Sequence, residues 1–364
     1  MNLKSTRSKE RIKFYLVYLI YITVLFEAVF RLFYSISYNN TKILWRPFTA
    51  ISHYAPGLID ELESNVREND ESFDILLLGG SVLTEQWGNI PTELNQLLKD
   101  SLTGPFMIHN MANPARTSRD SWQNYQLLEN KPYDLVVLYH GINEVRFNHC
   151  PPEVFKDDYS HVDYYAKVNK LMNSSFFHYS ILPLVYYQFE VNILRKLFKD
   201  NYLPFHAPTK TEKSDWLQYG SDVKTASVFY SNYDQLISKA LDSDQQLITP
   251  QFIYYIPDDY SEEAFENKEL DYGLHSNPVE LWGNVQTVSK GIDAHNSEIK
   301  RLANEFKDNP NYQYLVFNSR IPKNRKNFDD LCHFTDNGSK LYVETLWPSI
   351  KKAYANSFKK KVEK

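Results

Sequence analysis

Three short stretches, far apart in the 364-residue chain, hold groups that could work together on an acyl carbon. Asp330-Leu331-Cys332-His333 sets a carboxylate three residues before an imidazole. On a turn, that separation lets the Asp accept the imidazole N–H, fix its tautomer and support the imidazolium formed when the His takes a proton. Leu76-Leu77-Leu78-Gly79-Gly80-Ser81-Val82 ends an apolar run in two glycines and a serine. Glycines there let the chain turn sharply and bring backbone amides close to whatever Ser81 attacks. His140-Gly141-Ile142-Asn143-Glu144 follows a second apolar run. An Asn just after a Gly at the carboxyl end of a strand can turn its amide into the crevice that a neighbouring strand shares. The chemistry these groups suit is attack by Ser81 on an ester carbonyl, with Asp330 and His333 handling the proton. Gly-Gly-Ser alone is usually only a tight turn, and it lacks the Lys-Ser/Thr ending of a phosphate-binding loop.

Such groups converge only if the chain between them builds a sheet. Short apolar runs at 73–78, 106–109, 135–139, 247–256 and 312–317 are each followed by a helix-like or polar stretch. Their spacing predicts strands of a parallel sheet with crossover helices, an α/β body. Ile90, Leu94, Leu97 and Leu98 suit a helix over 90–99 that covers the sheet, which puts Ser81 at a strand-to-helix turn. A long insertion, about 148–246, separates the third and fourth strands; it carries an aromatic and aliphatic run, 176–198, and a polar stretch, 208–215. Insertions of this kind form lids, partner surfaces or membrane-contacting elements, or else ordinary helices packed on the core.

The N-terminus reads differently. Lys4, Arg7, Lys9, Arg11 and Lys13, opposed only by Glu10, precede an apolar run from Phe14 to Phe26 that continues past Glu27 through Ala28, Val29 and Phe30. A span over 14–36 reaches the roughly 20 residues a bilayer needs. It includes Arg31, which can snorkel, and Glu27, which is harder to place. No A-x-A cleavage site follows, which favours a retained signal anchor with residues 1–13 cytoplasmic and the body on the outer, periplasmic or extracellular, side. The other reading is an amphipathic helix of a soluble protein. Residues 37–71 read as a connector, with the body running from 72 to 364.

Taken in order, these blocks resemble the SGNH, or GDSL-type, hydrolase superfamily. That family has Gly-Asp-Ser first, a Gly in the second block, Gly-x-Asn-Asp third and Asp-x-x-His last. Here the first block is Gly79-Gly80-Ser81, the second falls in Asn110-Met111-Ala112-Asn113-Pro114-Ala115-Arg116-Thr117-Ser118 with Ala115 at the usual Gly, and the third is Gly141-Ile142-Asn143-Glu144. The last, Asp330-Leu331-Cys332-His333, is intact. The resemblance implies a flavodoxin-like three-layer α/β/α body, Ser81, Asp330 and His333 as a triad, and an oxyanion hole from the N–H groups of Ser81 and Ala115 with the Asn143 amide. Ala115 keeps the required N–H and can serve if its backbone is not forced to positive φ. Gly80, Gly141 and Glu144 stand behind these groups and orient their loops.

A net charge of −5 and a pI near 6.1 give no reason to expect a nucleic-acid partner. The ten histidines hold no H-E-x-x-H pair and no G-x-G-x-x-G follows a strand, so neither a metal nor a dinucleotide cofactor is expected. Cys150 and Cys332 could pair at the rim of the site or remain free buried thiols. The expected activity is a serine esterase or deacylase removing acyl groups, acetyl among them, from a cell-envelope glycan or lipid. An O-acyltransferase sharing the acyl-enzyme, supplied by a membrane acyl-donor partner, and a non-catalytic assembly or binding protein on the same fold are the alternatives. The aromatic residues, 27 Tyr, 22 Phe and 6 Trp, suit a sugar-stacking cleft but mostly serve cores.

Overall fold

The apolar runs become five strands of one parallel sheet: β1 (Phe73–Gly79), β2 (Phe106–Asn110), β3 (Leu135–Tyr139), β4 (Gln246–Pro250) and β5 (Tyr312–Leu315), in the spatial order β2-β1-β3-β4-β5. The computed structural model describes residues 3–66, 71–173, 178–190, 203, 205–317 and 320–363. Its α-helices of eight residues or more, among the described residues, are α1 (Leu3–Ser37), α2 (Ile90–Ser101), α3 (Ser118–Leu128), α4 (Asp163–Met172), α5 (Leu182–Phe189), α6 (Thr225–Asp242), α7 (Val285–Glu305) and α8 (Asp336–Glu363).

The chain divides into two compact units that cut across the bounds drawn from sequence. Residues 1–59 join 166–201 in one, and 60–165 join 202–364 in the other. The expected connector at 37–71 is thus shared between them, and within it Leu58–Glu63 is helical. The insertion is likewise not one element. Its later part, α6, is a crossover helix of the sheet, packed on α3, α7 and β4. Its aromatic run is described only at residues 178–190; Phe176, Phe177 and 191–198 lie outside the described residues.

In the sheet-bearing unit, β1 and β3 are buried along their whole length, as strands covered on both faces must be, and this is why they read as continuous apolar runs. Helices α3, α6 and α7 pack together on one side, and α2 packs with α8. The 247–256 run stops being strand at Pro250, whose successors leave the ladder: Phe252 N–H donates to Asn296 Oδ1 (2.8 Å) and Ile253 N–H to the Tyr139 hydroxyl (3.1 Å). The order β2-β1-β3 places a topological switch between β1 and β3. Ligand crevices of open α/β sheets form at such points, outside the carboxyl ends of the strands.

The other unit contains α1 and α5. Residues Glu10–Ser37 of α1 form a helix long and apolar enough to cross a membrane, with mean hydropathy 2.0 over its most apolar stretch, none of which is buried by protein.

Candidate active site

Ser81 leaves β1 through Gly80 and opens a short 3₁₀ turn, Ser81–Leu83. The reason for Gly80 differs from the sequence expectation. Its φ of −90° and ψ of −158° are open to any residue, so no special turn conformation demands glycine. What demands it is close approach: a Cβ there would sit 2.8 Å from Asn143 Nδ2.

The structure brings the three triad candidates together across more than 250 residues of sequence. Ser81 Oγ lies 2.7 Å from His333 Nε2, and His333 Nδ1 lies 2.8 and 2.9 Å from the two Asp330 carboxylate oxygens. An ionised carboxylate only accepts, so Nδ1 carries the proton and Nε2 is left as the acceptor facing the serine hydroxyl. The local geometry follows from the spacing. Asp330 Oδ1 accepts the backbone N–H groups of Cys332 and His333, both at 2.9 Å, in a side-chain turn that folds the His back over its own Asp. Burial pushes the Asp330 carboxyl up, but His333 and these N–H groups outweigh it and hold the group below the ordinary carboxylate range. Ser81, His333 and Asp330 are 8%, 3% and 0% exposed, so solvent access falls from the serine to the carboxylate.

Two supports could not be found from motif spacing. Asn277 Nδ2 donates to Asp330 Oδ2 at 3.0 Å, and the Trp87 ring stacks on the His333 ring with centroids 5.0 Å apart. Both reach the site from loops with no recognisable signature. His140, although beside the third block, is unsuited to act as a base. It is buried against Ser121 Oγ (2.7 Å), and burial pushes it down to about 3.

The second and third blocks are bolted to each other. Asn143 Nδ2 donates to Arg116 O (2.7 Å), while its Oδ1 accepts from Trp282 Nε1 (3.2 Å). Because an indole nitrogen only donates, the Trp282 contact fixes which end of the amide is oxygen and turns the NH₂ toward Gly80 and the Ala115-Arg116 loop. Fully buried Arg146 donates to Ala115 O (2.6 Å) and Asn143 O (2.9 Å) and lies over the Phe205 ring, its guanidinium 4.4 Å from the centroid. Among the described residues, neither the Ser81 nor the Ala115 N–H has a backbone carbonyl partner. Ser81, the Ala115 loop and Asn143 follow β1, β2 and β3, three adjacent strands around the switch point.

The chain resembles the SGNH hydrolases. No protein-family model and no curated sequence matches it. Solved structures to which it is similar include an acetyl xylan esterase (13% identity, TM-score 0.40, covering 76% of this chain and 99% of that one). A GDSL-like lipase from Bacteroides thetaiotaomicron (11%, 0.43, 83% and 98%) and an acetyl xylan esterase from Geobacillus stearothermophilus (11%, 0.39, 76% and 94%) are others. At these identities and scores the similarity is a likeness only.

Measured against the SGNH pattern, two expectations change. Ala115 was expected to serve at ordinary φ; instead its φ is +64°. That left-handed conformation is the one a glycine adopts freely and costs an alanine roughly 1–2 kcal/mol. The condition set from sequence for Ala115 is therefore not met. Glu144 also does more than orient a loop. Fully buried, it accepts the Ser118 N–H at 2.5 Å at the start of α3, where the second block ends. Burial raises its carboxyl to about 7, partly opposed by that N–H. Gly141 leaves room for the Phe252 side chain, against which any Cβ would collide.

Cys150 and Cys332 are free and buried in separate apolar clusters, so the rim disulfide is not formed. Asp330, Cys332 and His333 have potential metal-ligand atoms within 4.8 Å of one another. The Asp330 oxygens and both His333 nitrogens are, however, already committed to the hydrogen bonds above, a donor set that fits a proton relay better than a cation.

Proposed function

We propose that this chain is a serine esterase or deacylase that cleaves acyl esters, acetyl among them, on a cell-envelope glycan or lipid. The observation that carries the reading is the continuous relay Ser81 Oγ to His333 Nε2 to Asp330, at 2.7 and 2.8 Å. Ser81 attacks the ester carbonyl as His333 takes its proton. The imidazolium, balanced by Asp330, returns that proton to the leaving alcohol, and water then releases the acyl group by the same route. Negative charge on the carbonyl oxygen is met by the Ser81 and Ala115 N–H groups and the Asn143 amide, held in place before reaction by Arg146 and Trp282. α1 holds the enzyme at the membrane with residues 1–13 cytoplasmic and the catalytic body outside, where envelope esters lie.

The test is hydrolysis of p-nitrophenyl acetate by the full chain in detergent, with Ser81→Ala and His333→Ala. Each variant should lose at least about a thousandfold in kcat. If the unmodified chain shows no turnover on this ester, the esterase reading fails. An acyltransferase fed by a membrane acyl donor, or a non-catalytic assembly protein, would then be the reading to take up.

A further inference from the structure

Glu27 and Arg31 lie inside the apolar stretch of α1, where unpaired polar groups are costly. Both are engaged, largely by the 178–190 segment of the same unit. Glu27 accepts from Arg31 Nε (2.6 Å), Ser180 Oγ (2.7 Å) and the Ile181 N–H (2.9 Å). Arg31 in turn donates to Tyr179 O (2.8 Å), Ile43 O (2.7 Å) and Arg46 O (3.1 Å). This answers the difficulty Glu27 posed in the sequence: its carboxylate caps the turn that opens α5.

Depth follows from the helix rise. Thirteen residues separate Phe14, the first apolar residue after the basic flank, from Glu27. At 1.5 Å per residue that is about 20 Å into a hydrocarbon core about 30 Å thick. The backbone at Tyr179–Ile181 is held between the levels of Glu27 and Arg31, about 5 to 10 Å inside the far boundary. Non-helical backbone survives there only where protein satisfies it, and the Glu27 and Arg31 bonds to the Ile181 N–H and Tyr179 carbonyl do so. The helix that follows, Leu-Pro-Leu-Val-Tyr-Tyr-Gln-Phe, has no charged residue, and the charge of Glu190 at its C-cap is met by Lys167 (3.9 Å), whose ammonium also lies over the Tyr187 ring. It leaves Tyr186 (60%) and Phe189 (48%) exposed, as is Tyr179 at 68%, and α1 leaves Leu25, Phe26 and Val29 exposed on either side of Glu27.

Resting on the reading of α1 as a membrane span, we propose that residues 178–190 are a second membrane-embedded element. They form a re-entrant segment docked on the anchor by Glu27 and Arg31, with the acyl chains of the outer leaflet covering Tyr186 and Phe189. The exposed aromatic face of α5 then continues the lipid-facing surface of α1.

The full chain is reconstituted into phosphatidylcholine vesicles with single nitroxide labels introduced through Tyr186→Cys, Phe189→Cys, Leu25→Cys on α1, or Asp258→Cys on the exposed surface of the sheet-bearing unit. Native Cys150 and Cys332 are buried, and the unsubstituted chain carried through labelling gives the background. Circular dichroism matching that chain shows each variant folded. Collision rates with oxygen, which partitions into lipid, and with a water-soluble nickel chelate are compared. Labels at 186 and 189 should favour oxygen several-fold, as at 25, while 258 favours nickel. If 186 and 189 behave like 258 while 25 favours oxygen, the re-entrant segment is refuted and the anchor stands. If 25 also favours nickel, the span itself fails and the proposal with it.

Discussion

Replacing Glu144 by Gln should stabilise the protein at alkaline pH and do little at acid pH. The carboxyl has no exposure to solvent, one oxygen is held by Ser118, and the other has no partner among the described residues. Burial lifts it from an ordinary 4.5 to about 7 in the folded state. The folded protein therefore binds this proton more tightly than the unfolded chain. The group's favourable contribution is complete below pH 4.5 and is lost as pH rises through 7, where a buried charge remains. At about 1.4 kcal/mol per pH unit the wild-type chain should lose roughly 2 to 3 kcal/mol from this group between pH 5 and pH 8. Gln mimics the protonated acid at every pH and should show none of that loss. Equilibrium urea unfolding at the two pH values, followed by tryptophan fluorescence, measures it, since all the tryptophans except Trp45 lie in the sheet-bearing unit. A stability difference between variant and parent that is the same at pH 5 and pH 8 would refute the reasoning, because Glu144 would then not change charge on its own in the folded state over this range.

Ala115→Gly should raise stability by about 0.5–1 kcal/mol and leave turnover within about twofold, since relief of the left-handed strain exceeds the entropy cost of glycine; thermal denaturation showing the usual loss for an Ala→Gly change would contradict the observed φ of +64°. Asn277→Ala removes one donor to the Asp330 carboxylate, a bond to a charged group that contributes about 1.5–3 kcal/mol, and steady-state kinetics should show kcat falling about tenfold or more with KM nearly unchanged. Gly80→Ala puts a methyl group 2.8 Å from Asn143 Nδ2; kcat/KM on the acetyl ester should drop about 10- to 100-fold, and an unaltered value would mean that Asn143 takes no part in stabilising the oxyanion.

The parts of the fold legible in the sequence were those written in consecutive residues. β1 and β3 announce themselves because both faces are covered, so Ile75, Leu76, Leu77 and Leu78 and then Val136, Val137 and Leu138 all had to be apolar. The Asp330–His333 pair was legible because its geometry is a local side-chain turn. The remaining supports act through space. Asn277, Trp87 and Trp282 reach the site from loops and turns whose sequences advertise nothing, Arg146 from the 3₁₀ helix that Asn143 opens, and Glu27 finds its partners 153 and 154 residues away at Ser180 and Ile181. Element ends were the other weak point. The fourth strand stops at Pro250, short of the apolar run that continues to residue 256.

The contact between Gly80 and Asn143 also constrains how the sequence can change over generations. With Trp282 holding the amide from behind, any side chain at position 80 would collide with Asn143 at its very first atom. Substitutions at 80, 143 and 282 are therefore epistatic. A larger residue at 80 needs Asn143, and the indole at 282 that holds it, to shift, so the tolerance of each of these positions depends on the other two.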